Sequence, residues 1–137
     1  STSGADWETG SAIPAPTTIL DAPPGTACSF AACVGRADHC LFVTDPTPFG
    51  LHDLELAMEA ARGLSVPYSV VVNRSRGAED MAETFCREHG LRIALRIPDD
   101  RSLAETYARG GTLIDWRPEL AESFQGVLDH ILQGAAE

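Results

Sequence analysis

Four short apolar runs punctuate the chain, each stopped by a polar residue or a proline turn. They are Thr17–Leu20 ending at Asp21, Leu41–Thr44 before Asp45-Pro46, Tyr68–Asn73 with three consecutive valines, and Leu91–Ile97 closed by Pro98. Continuous runs of this length suit strands buried on both faces of a parallel sheet. Between them, apolar residues recur at helical spacing. Thr26–Val34 is rich in small residues, and Leu51–Leu64 brings Leu54, Ala57, Met58 and Ala61 to one side. Ala78–His89 repeats the pattern before the stop at Gly90, and Ser102 is placed to cap Leu103–Ala108 ahead of Gly110-Gly111. Pro118–Leu132 closes the chain as an amphipathic helix with Leu120, Phe124, Val127, Leu128 and Ile131 on one face. Strict alternation of strand and helix predicts an α/β fold: a mostly parallel sheet of about four strands, flanked by helices in three layers. Residues 1–16, polar and acidic with Pro14 and Pro16, read as a flexible lead-in, which leaves 17–137 as the folded unit.

Ligands of such sheets bind outside the carboxyl ends of the strands. The positions to inspect are therefore Asp21, Asp45, Asn73 and Pro98-Asp99. The loop Asp21-Ala22-Pro23-Pro24-Gly25-Thr26 has a physical logic of its own. An acid at a strand tip can hold the water shell of a divalent cation. Gly25 lacks a Cβ, so its N–H can approach a phosphate, and two prolines stiffen the turn. Asp, Pro and Gly are also ordinary turn formers, and a plain strand-to-helix turn accounts for them equally well.

Composition narrows the chemistry. The 137 residues carry 20 acidic and 10 basic side chains, for a net charge of −10, and every basic one is arginine. An acidic surface argues against non-specific binding to nucleic acid or to an anionic membrane. The absence of lysine excludes any mechanism in which this chain alone must supply one. No run approaches the length of a membrane helix, and the first ten residues lack the basic and apolar regions of a signal peptide, so stable membrane insertion is not expected and a cytoplasmic location is. Cys28, Cys33, Cys40 and Cys86 form no Cys-x-x-Cys pair, and with His39 and His52 they match no common metal-ligand spacing. Mostly buried free thiols are expected, and Trp116 beside Pro118 reads as a packing anchor.

Several segments together resemble a known family. Asp21-Ala-Pro-Pro-Gly-Thr-Ala-Cys28, Val43-Thr-Asp-Pro-Thr-Pro-Phe-Gly-Leu-His-Asp-Leu54, Val70-Val-Val-Asn-Arg74 and Ile97-Pro-Asp-Asp100 occur in the order found in MinD/ParA-type P-loop ATPases. The stretch 20–110 is similar to their C-terminal half, most of all in the subgroup that carries an inserted ferredoxin domain. The resemblance implies a partial Rossmann-like P-loop fold. It makes Asp21 the Walker B aspartate supporting Mg²⁺ through water, and Gly25, with Pro23 and Pro24, the switch II turn that senses the γ-phosphate. Asn73, followed by Arg74, becomes the residue that pairs with adenine, with Pro98 and Asp99 flanking the base. The loop and helix start at Phe49–Asp53 fall near the family's dimer face.

The chain departs from the family in one large respect. The glycine-rich Walker A loop and its lysine have no counterpart here, and a P-loop without them holds ATP poorly. The expectation is a piece of a longer protein that is inactive alone and binds no nucleotide tightly. The complete protein would use ATP/ADP and Mg²⁺ as a dimeric ATP-dependent switch, linked to iron–sulfur or metallocofactor handling. Its expected partners are the missing Walker A half, a second copy of itself and a further protein, but not nucleic acid. Two other readings share the fold: half of a ligase of the cobyrinic acid a,c-diamide synthase or dethiobiotin synthetase type, and a protein-interaction module that has lost hydrolysis.

Overall fold

The computed structural model describes residues 16–25 and 28–135. The lead-in therefore lies outside the described residues except for Pro16, as do Thr26 and Ala27 at the start of the first expected helix.

Three parallel strands form the sheet in the order β1 (Cys40–Thr44), β2 (Tyr68–Ser75) and β3 (Ile93–Pro98). Helices α1 (Cys28–Gly35), α2 (Pro48–Gly63) and α3 (Met81–Glu88) precede or connect them, and α4 (Arg101–Ala108), α5 (Leu113–Trp116) and α6 (Leu120–Ala135) follow. The period-2 alternation of β2 divides the core. Val70 and Val72 face one layer, where Leu51, Leu54 and Met58 of α2 and Ala82 and Cys86 of α3 pack on them. Phe30 and Val34 of α1 extend that layer over Cys40 and Ala61. Val71 faces the other way, with Ile97, Leu103 and the half-buried Trp116 and Phe124. Trp116 is thus the packing anchor expected, and its indole N–H also donates to Ser102 Oγ at 2.7 Å.

Several helix ends follow from local chemistry. Thr47 caps α2 and accepts from Gly50 N, with Pro48 at the first helical position, where its missing N–H costs nothing. Asp80 caps α3 by accepting from Glu83 N. Gly90 and Gly110 stop α3 and α4 with φ of 63° and 81°.

Four expectations are corrected. Thr17–Leu20 forms no strand: it is unassigned backbone with Ile19 59% exposed, and the sheet has three strands among the described residues rather than about four. An apolar run becomes a strand only where a full ladder forms on a neighbouring strand, so the run of apolar residues alone does not decide it. Asp100, not Ser102, caps α4, because its carboxylate accepts from both the N–H and the hydroxyl of Ser102. Those two bonds hold the Asp100 carboxyl below its usual range. The helix α5 was not expected; the reciprocal Thr112 and Asp115 capping box forms it. Of the thiols, Cys40 and Cys86 are buried, but Cys33 is half-buried and Cys28 is exposed.

The register shows what the second layer leaves bare. Leu41 pairs with Ser69 and Val43 with Val71, so all four side chains share the α4–α6 face. Those helices cover β2 and β3, while Leu41 and Val43 remain exposed, Val43 at 65%. The outer edge of β1 also pairs with no strand among the described residues. An apolar, unpaired edge invites another chain. The protein is expected to self-associate with rising concentration, and Val43→Glu to suppress this without unfolding it. Light scattering that finds the unsubstituted chain strictly monomeric at about millimolar concentration would contradict this expectation.

Candidate site at the carboxyl end of the sheet

The three strands deliver their last residues to one end of the sheet. Thr44, which closes β1, is buried, and its hydroxyl donates to Asp45 O at 3.3 Å. Asp45 O also accepts from Thr47 N at 2.8 Å, which folds the chain directly into α2. This turn is tight: a Cβ on Gly50 would lie 2.6 Å from Asp45 O and 3.1 Å from the hydroxyls of Thr44 and Thr47.

The central strand leaves the regular ladder here. Val72 pairs with Thr44 on one side and Arg96 on the other, and the register then shifts before Ser75 meets Pro98. The extra residue is absorbed at Arg74, which sits in the left-handed region with φ of 54°. The bulge turns Arg74 toward β1, where its guanidinium lies 3.8 Å from Asp45 Oδ2. On the other flank, Arg76 Nε lies 3.6 Å from Asp99 Oδ2, and Asp99 N donates to Ser75 O at 3.0 Å. Ser75 Oγ donates in turn to Asp80 Oδ2 at 2.9 Å, tying the bulge to the α3 cap. Both ion pairs are solvated and contribute at most about 1 kcal/mol each. They serve to orient the loops.

Asn73 stands at the centre of this arrangement. It is half-buried, and its carboxamide has no hydrogen-bond partner among the described residues. A planar group with one acceptor and two donors, held beside a backbone bulge between Asp45 and the Pro98-Asp99 turn, is suited to reading the edge of a flat heterocycle.

Of the residues singled out from sequence, the structure brings together Asn73, Arg74, Pro98 and Asp99, with Asp45. Asp21, Pro23, Pro24 and Gly25 are all exposed in the segment 16–25, outside any strand. Gly25 keeps a φ of 91°, a conformation that favours glycine. Arg76, Thr47 and Asp80 were missed. Asp80 carried a readable signal, since Asp80-Met-Ala-Glu83 has the spacing of a helix N-terminus.

The donor set can be tested against magnesium and ATP. The base end fits, because Asn73 offers an unpaired carboxamide. The phosphate and metal end does not: the sequence has no lysine, Asp21 is exposed and outside any strand, and no group of three or more His, Cys, Asp or Glu among the described residues could hold a metal ion. No step through the metal follows from these residues.

Fold and site together define an α/β protein whose described residues form a parallel three-stranded sheet, flanked by helices and bearing a polar site at its carboxyl end. Among the described residues, no helix is long and apolar enough to cross a membrane. No protein-family model matches the chain. It is similar to the uncharacterized protein MJ0579 of Methanocaldococcus jannaschii, at 28% identity over 116 residues. The match covers 85% of this chain and 39% of that protein, so the chain spans well under half the length of this relative.

Proposed function

We propose that the chain carries the base-side half of an adenine-nucleotide site of the MinD/ParA P-loop ATPase kind. The phosphate grip would come from a lysine-bearing segment that this sequence does not contain. The observation that carries this reading is the unpaired Asn73 carboxamide beside the β2 bulge, at the ligand-binding end of a parallel sheet. Arg74 and Asp99 flank the base and hold the neighbouring loops. Asp21 and Gly25 would supply the Mg²⁺ and γ-phosphate contacts only once the lysine-bearing segment completes the site, and the match to part of a longer relative is consistent with that requirement. Hydrolysis then belongs to the assembled protein, acting as a dimeric switch.

The reading predicts weak base binding and no turnover. Contacts to the base alone give a dissociation constant of about 1 mM, equivalent to about −4 kcal/mol. At such an affinity, micromolar ATP does not raise the melting temperature measurably. In an isotopically labelled chain, ADP at a few times that concentration should shift the Asn73 side-chain amide resonances, GDP should do so less, and Asn73→Leu should remove the response. An amide that ignores ADP would sink the adenine assignment. ATP hydrolysis by the pure 137-residue chain would overturn the divided site.

A further inference from the structure

A second cluster of polar groups lies at the opposite end of the sheet, at the amino ends of β2 and β3. There α6 rests over the strands without closing on them, and its Phe124, Val127, Leu128 and Ile131 are only half-buried. The gap is a cleft of about 300 Å³. Its floor is apolar, formed in part by Leu95, Val127 and Ile131, and its polar lining is Ser69, Arg92, Ser123 and His130. Arg92 Nη1 stands 3.0 Å from His130 Nδ1 and also touches Nε2. Ser69 is buried, and behind it His39 Nε2 lies 2.9 Å from the Ser69 hydroxyl. Burial, and secondarily the nearby His130, hold the pKa of His39 below the usual histidine value.

The charge pattern here runs against the rest of the molecule. The chain has a net charge of −10, yet no residue lining this cleft is acidic. Arg74, Arg76, Arg96 and Arg101 each face a carboxylate, Arg62 meets the Tyr68 hydroxyl and Arg117 lies over Trp116, whereas the only side-chain partner of Arg92 among the described residues is the imidazole of His130, inside the cleft. A guanidinium fork and an imidazole above an apolar floor lack one component, an oxyanion, which the fork can bind through two parallel hydrogen bonds.

We propose that this cleft binds a small organic anion, its carboxylate or phosphate head held by Arg92, His130 and Ser123 and its apolar body lying on Leu95, Val127 and Ile131. The site is independent of Asn73 and of the nucleotide reading, since it opens at the other end of the strands.

The test is a nuclear magnetic resonance titration of the labelled 137-residue chain with hexanoate, hexyl phosphate and hexanol. At least one of the two anions should move the ring resonances of His130 and His39 saturably, and the tighter one identifies the preferred head. Hexanol, of equal chain length and no charge, should bind at least about tenfold more weakly, because it cannot form charge-assisted bonds. Arg92→Gln should weaken the anion by a similar factor. Ser123→Asp, at a solvent-accessible position lining the cleft, should do the same by placing a carboxylate at the head position, and it decides the matter if Arg92→Gln fails to fold. Equal binding of hexanol and the anions, or ring resonances that respond to neither anion, would overturn the proposal.

Discussion

Replacing Met58 with alanine is expected to lower the unfolding free energy by about 2–5 kcal/mol. Met58 is 1% exposed and belongs to the cluster that joins α2 and α3 to Val70 and Val72 of the central strand. Truncation removes its transfer free energy and leaves a cavity whose walls are two helices and a sheet, which relax little. The total stability of a domain is only about 5–15 kcal/mol, so the loss is a large share of it. Met58→Leu keeps the volume nearly constant and should cost less than about 1.5 kcal/mol. Urea unfolding followed by circular dichroism measures both, and the slope against denaturant should stay unchanged while the midpoint falls. An alanine variant that loses less than about 0.5 kcal/mol would mean that α2 is not seated on β2 through this side chain.

Gly50→Ala is the second large effect, and its sign is the informative part. Alanine within a helix is ordinarily preferred over glycine by roughly 0.5–1 kcal/mol. At Gly50 the new Cβ would meet the Asp45 carbonyl oxygen at 2.6 Å, a backbone atom that cannot swing aside. The first turn of α2 must then move off the end of β1, at an expected net cost of about 1–3 kcal/mol. At Gly63, the last residue of the same helix, an added methyl would meet nothing within 4 Å, so Gly63→Ala should be neutral or mildly stabilising. Thermal unfolding of the two variants side by side separates crowding from helix propensity. Because Asp45 also faces Arg74, the Gly50 variant should disturb the Asn73 amide resonances as well, which the Gly63 variant should leave alone. Stabilisation by Gly50→Ala would contradict the tight turn.

Much of the site was legible because strand ends are marked locally. Val70–Val72 could be read as a buried strand from the run of valines alone, and Asn73 as its polar exit. The bulge could not. Arg74 is left-handed because β2 must shift register between Val72 and Ser75 to stay paired with β3, and no residue type at that position announces it. Arg76 reaching Asp99 is likewise a consequence of where β3 ends relative to β2.

Among the described residues, the sequence by itself determined three strands, five of the six helices and the polar character of the strand ends, since periodicity, caps and glycine stops act over a few residues. The box that forms α5 was also local, in Thr112 and Asp115. Only the tertiary structure decided that Thr17–Leu20 stays out of the sheet, that Leu41 and Val43 lie bare, and that His39 meets Ser69 while Arg92 meets His130. Pairing and covering depend on which edges and faces are already occupied, and the two polar contacts span separations of 30 and 38 residues, which no local pattern encodes.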